Sequence, residues 1–180
     1  SGHALNLLSS INAGRGGMWL IDPTDVLISN GSTINETFSS GIYAPDPTSS
    51  TSSVINAYQL TAALVSSSVL ISTTSSGSGN GNISVQAPIN SSGTGSLTLS
   101  ADNNISIEDN IALTGVGNTL VLNAGGSISQ LPATSITTTG GIFITASNSS
   151  ISIFGGVLSG QGGLTLQSGS VYLTGSNTYT

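Results

Sequence analysis

LTLSADNNISIEDNIALTGVGNTLVLNA, residues 97–124, begins and ends on nearly the same pentapeptide, and that return decides the fold. LTLSA (97–101), LVLNA (120–124), IFITA (142–146) and LTLQS (164–168) align without gaps, their starts 23, 22 and 22 residues apart. In each, the first and third positions are Leu or Ile and the fifth is Ala or Ser, the two-residue period of a short strand running into a tight corner. The inward ladder this predicts runs Leu97, Leu120, Ile142, Leu164 beside Leu99, Leu122, Ile144, Leu166.

A second column follows within each repeat: Ile105 and Ile107, then Ile128, then Ile151 and Ile153, then Val171 and Leu173. A third runs Ile111 and Leu113, Ile136, Val157. Gly95, Gly117, Gly140 and Gly162 precede the first column at matching intervals, where a corner needs positive φ or close backbone approach. Three short strands in about 22 residues, repeated, predict an all-β fold, a right-handed parallel β-helix. The pattern extends backwards through Ile83, Val85 and Ile89 to VLIST (69–73), with TTSSGSGNGN looped out between them. At least five coils are readable, and 69–180 corresponds to roughly 25 Å of rod.

Upstream the pattern loosens. GIYAPDPTSSTSS (41–53) reads as a surface loop, and SVINAYQLTAAL predicts one short external helix. Its expected apolar face holds Val54, Tyr58 and Leu64 or Val65, with Ser53 as N-cap. The chain therefore divides into irregular coils with loop and helix at 1–68 and regular coils at 69–180, one β-helical segment expected to be cut from a larger protein. MWLIDPTD (18–25) gathers Met18, Trp19, Asp22 and Pro23 in an otherwise monotonous chain. Trp19 is expected to fill a wide coil, Pro23 to end a strand and Asp22 to accept backbone N–H bonds in an Asx turn, a structural motif joining coils.

Composition excludes several functions. The 180 residues include 4% charged side chains, one cation (Arg15) and a net charge of −6, so nothing neutralises phosphates; nucleic acid and anionic membranes are ruled out. A mean hydropathy of +0.28 argues against disorder. There is no cysteine, and no apolar run approaches the ~20 residues of a membrane span. His3 has no partner of its kind nearby, and the pairs Asp22/Asp25 and Glu108/Asp109 read as polar corners rather than a glycosidase or Ca2+ site. No catalytic residue, cofactor or metal is expected. A polysaccharide-cleaving β-helix would need convergent carboxylates and cations, and one Arg argues against it. An ice-binding face would need a threonine column, but the outward middle positions read Thr98, Val121, Phe143, Thr165. Asn-x-Ser/Thr occurs at Asn30, Asn35, Asn82, Asn90, Asn104 and Asn148, close to what so much Asn, Ser and Thr gives by chance.

The order WLIDPTDVLIS, SSVINAYQLTAALVSSSVLIST, GNISVQAPI and GSLTLSADNNISIEDNIALTG, over about residues 12–115, resembles the haemagglutination-activity segment of filamentous haemagglutinin-type exoproteins. These are large Gram-negative adhesins exported by two-partner secretion. GSVYLTGSNTYT (169–180) is similar to the autotransporter-associated strand repeat of β-helical passengers. The resemblance implies a structural rod in a secreted adhesin on the bacterial cell surface, serving adhesion or aggregation. Its partners would be an outer-membrane transporter during export, then glycans or proteins of host or sister cells. The alternative is a filament subunit stacking head to tail through open strand edges, a homo-oligomer without limit; a polysaccharide-active enzyme ranks third.

Overall fold

The computed structural model describes residues 25–33, 36–39, 42–45, 53–73 and 80–180. The first elements are β1 (Val26–Ser29), the antiparallel pair β2 (Glu36–Ser39) and β3 (Ile42–Pro45), β4 (Ser53–Asn56), α1 (Ala57–Leu64) and β5 (Val69–Ser72). Regular coils follow. β6 (Ile83–Val85), β7 (Ile89–Ser91) and β8 (Leu97–Ala101) form one, and β9 (Ile105–Ile107), β10 (Ile111–Leu113) and β11 (Thr119–Ala124) the next. β12 (Ile128–Gln130), β13 (Ser135–Thr138) and β14 (Gly141–Thr145) precede β15 (Ile151–Phe154), β16 (Val157–Gly160) and β17 (Leu164–Ser168). β18 (Ser170–Leu173) and β19 (Thr178–Tyr179) end the series.

Every third strand pairs with the one a coil away, giving three parallel sheets ordered β18-β15-β12-β9-β6-β1-β4, β19-β16-β13-β10-β7 and β17-β14-β11-β8-β5. This is a β-solenoid of about six turns, about 23 residues apart. No one coil holds enough apolar area to close on itself, so the stack shares one core.

The third sheet in this order shows how sequence sets register. Leu97, Leu120, Ile142 and Leu164 stand on one another, as do Leu99, Leu122, Ile144 and Leu166. The members through Ile144 are buried; Leu164 is half-buried and Leu166 is 45% exposed, because β17 closes its sheet and nothing described covers its far side. In the first sheet Ile83, Ile105 and Ile128 stack at full burial. The glycine column serves its expected purpose. Gly117 has φ 74°, and a Cβ at Gly95 would overlap the Ser67 carbonyl oxygen.

Two strands correct the sequence alignment. Ile151 and Ile153 were expected inside, but β15 pairs Ser129 with Ile153 and Gln130 with Phe154, so Ser152 and Phe154 point inward. Ile151 is 53% exposed and Ile153 50%. The corner before β15 is long enough to put 24 residues between Ile128 and Ser152, and the side chains alternate accordingly. Two gains hold this register: the Phe154 ring is fully buried, and the Ser152 hydroxyl accepts a 3.0 Å bond from the Ile128 amide. Likewise Leu158, not Val157, lies over Ile136.

The expected helix is present at the end of the second sheet, beside β7. It buries Ala57, Leu60, Ala63 and Leu64, while Tyr58 and Val65 are exposed. Ser53 opens β4, and the N-cap is Asn56, whose side chain accepts from the amides of Tyr58 and Gln59 at 3.0 and 3.1 Å. Replacing a strand by a helix has a geometric consequence. A helix about 10 Å across takes the width of two strands spaced about 4.8 Å apart. Thus β5 lies directly beside β8, yet β4 stands two places from β6 in its own sheet. The earlier strand β1 fills that place, pairing with β4 on one side and β6 on the other. Val26 and Ile28 complete the inward ladder there.

Candidate functional site

The structure offers extended faces and corners. Corners leading into the first sheet are fastened by side-chain oxygens that accept amides one place along the stack. Asp25 accepts from the Asn82 amide through Oδ1 at 2.7 Å and from the Asn80 amide through Oδ2 at 3.2 Å. Asn82 Oδ1 accepts from the Asn104 amide at 3.2 Å, and Asn104 Oδ1 from the Ser127 amide at 2.8 Å. Each residue immediately precedes a buried Val or Ile of the first sheet, so the ladder satisfies N–H groups left over where strands begin. The 22- and 23-residue intervals from Asn82 to Asn104 to Ser127 were visible in the sequence; without the apolar columns they were hidden among many Asn and Ser.

Asp25→Ala removes both acceptors and is expected to cost about 1–3 kcal/mol, with Asp25→Asn, which keeps one, losing less. Thermal melting by circular dichroism measures both. Melting temperatures equal to wild type would remove Asp25 from the set of structural fasteners.

The other acidic side chains are also spread along corners. Glu108 accepts from Gln86 Nε2 and Ser106 Oγ at 3.1 and 2.9 Å, and Asp109 from the Asn110 amide at 2.7 Å. Among the described residues no three His, Cys, Asp or Glu groups converge as a metal cluster would require. Trp19, Asp22 and Pro23, the motif singled out in the sequence, and His3 lie outside the described residues. Of the glycosylation sequons, Asn82 and Asn104 use their amide oxygens in the corner ladder, and Asn148 Oδ1 accepts from the Gly169 amide. Asn30 and Asn90 are exposed.

The outer faces are built from hydroxyls, amides and small apolar groups. On the third sheet Leu70, Thr98, Val121, Phe143 and Thr165 stack in one outward column, too mixed for a threonine array. Charge is confined to the early coils, since residues 110–180 contain no charged side chain at all. On the first sheet the outward surface changes character along the rod. Ser84, Gln86, Ser106 and Glu108 give way to Leu131, Ile151, Ile153 and Tyr172, each about half-exposed or more.

Fold and surface together define a β-solenoid whose available chemistry is an extended, weakly charged face. No protein-family model matches the chain, and no curated protein or solved structure matches it either.

Proposed function

We propose that this chain is a structural rod segment of a secreted, surface-exposed Gram-negative adhesin, mediating adhesion or aggregation. The observation that carries the reading is the unbroken stack of in-register parallel strands under a nearly uncharged hydroxyl and amide surface. Such a stack is stiff along its axis, since each coil is bonded to two neighbours, and it presents repeated polar groups to large partners rather than a pocket to a small one. The motif order similar to filamentous haemagglutinin-type exoproteins and the final LTGSNTY, similar to the autotransporter-associated repeat, supply the biological setting. In that setting the partners are an outer-membrane transporter during export, and afterwards glycans or proteins of host or sister cells.

An antibody raised against the purified chain tests this on intact source cells. Labelling before permeabilisation, lost after brief protease treatment of whole cells, is the expected result. Labelling that appears only after permeabilisation would overturn the assignment.

Head-to-tail filament growth has one observation in its favour. The outer edges of β17, β18 and β19 have no partner strand, and Leu166 and Leu173 are exposed beside them. At the opposite end, however, α1 covers the edge of β7, so only two of three sheets offer a strand there.

A further inference from the structure

Leu131, Ile151, Ile153 and Tyr172 are 49%, 53%, 50% and 60% exposed, and the pairing of the first sheet brings them together. Ile153 stands between Ser129 and Tyr172 on adjacent strands; Ile151 lies two residues before it and Leu131 at the end of β12. The inward turn of Ser152 and Phe154 is what puts both isoleucines outside. We propose that this patch is the contact through which two copies of the chain pair side by side, with rods antiparallel.

Charge distribution selects the occupant. The surface around the patch belongs to residues 110–180, which carry no charge, so it offers a charged partner no ion pair and a second copy no repulsion. The acidic residues of the described chain, Asp25, Glu36, Asp102, Glu108 and Asp109, all precede residue 110. Antiparallel pairing sends these acidic ends apart, whereas parallel pairing would set like charges side by side without a cation to separate them. A closed two-fold contact uses the same patch on both copies, as a flat sheet face with one central apolar residue allows. The four side chains expose roughly 400 Å2 per copy, so with their rim the contact falls near the lower bound of about 1,200 Å2 for specific interfaces. A weak, micromolar dimer is the expected outcome. The inference does not rest on the adhesin reading, since it concerns the purified chain alone.

Sedimentation equilibrium of the full chain over about 1 to 500 µM, spanning that affinity range, is the test. The mass is expected to rise from 17.8 kDa toward twice that value and stop there. Ile153→Asp and Tyr172→Ser should stay monomeric throughout with unchanged circular dichroism, while Ser84→Asp, on the polar half of the same face, should dimerise as wild type does. The chain has no cysteine, so Ile153→Cys should oxidise to a covalent dimer near the two-fold and Ser84→Cys should not. If Ile153→Asp fails to fold, Tyr172→Ser and the cysteine pair still decide. A wild-type monomer at the highest concentration, dimerisation of folded patch variants, or growth past two copies by end-to-end stacking would each overturn the proposal.

Discussion

Ile128→Asp is expected to yield no folded protein, and Thr98→Asp to yield soluble protein with wild-type β content. Ile128 is fully buried between Ile105 on β9 and Ser152 on β15, and the described residues offer no cation there to pair a carboxylate. An uncompensated buried charge costs several kcal/mol, a large share of the about 5–15 kcal/mol by which domains are stable. Thr98 sits on an outward column, where a carboxylate remains hydrated and the change should cost no more than about 0.5 kcal/mol. Soluble yield and far-ultraviolet circular dichroism of the two variants make the comparison. Equal recovery of folded protein would contradict the assignment of inward and outward columns.

Phe154→Ala against Ile153→Ala tests the one register that sequence reasoning misplaced. Removing the fully buried Phe154 ring should cost about 3–5 kcal/mol, because its space cannot collapse between coils held by backbone bonds on both sides. Ile153→Ala removes a half-exposed side chain and should cost about 1 kcal/mol or less in the monomer. Denaturant unfolding at a concentration below self-association measures both. If Ile153→Ala proved the more damaging, β15 would have to slide by one residue, burying Ile151 and Ile153 and turning Phe154 outward.

The contrast between Ile128 and Ile151 shows what the sequence could disclose. Where a coil repeats at 22 or 23 residues with Leu or Ile at alternate positions, as from Leu97 to Ile144, the strand period and the coil period agree and the inward ladder can be read directly. At ISIF both frames contain apolar residues: Ile151 and Ile153 in one, Phe154 in the other. Choosing between them requires the corner length and the hydrogen bond from the Ile128 amide to Ser152, both properties of the neighbouring coil. The insertion of β1 between β4 and β6 was hidden for a related reason. It follows from the width of α1 relative to a strand, a tertiary quantity with no local signature in VLIS, which occurs identically in β5. Ser53 was a plausible cap by residue type; Asn56 takes the position because Val54 and Ile55 are still needed in β4 beside Leu27 and Ile28.

Surface function was less legible than fold because solenoid exteriors tolerate many side chains. The corner ladder of Asp25, Asn82, Asn104 and Ser127 and the apolar patch around Ile153 both depend on which residues become neighbours across coils, and both emerge only after register is fixed. The same dependence makes register the central claim, on which the rod, the uncharged face and the pairing surface all stand.

Spin labels at Ser84→Cys and Tyr172→Cys test it most directly. Both positions lie on one outward column, on β6 and β18, with β9, β12 and β15 between them. Four strand steps of about 4.8 Å place their backbones about 19 Å apart although 87 residues separate them in sequence. A single narrow distance near 20 Å, broadened only by the label arms, is the predicted result. A broad distribution centred beyond about 40 Å, the scale of a chain not stacked in register, would contradict the account.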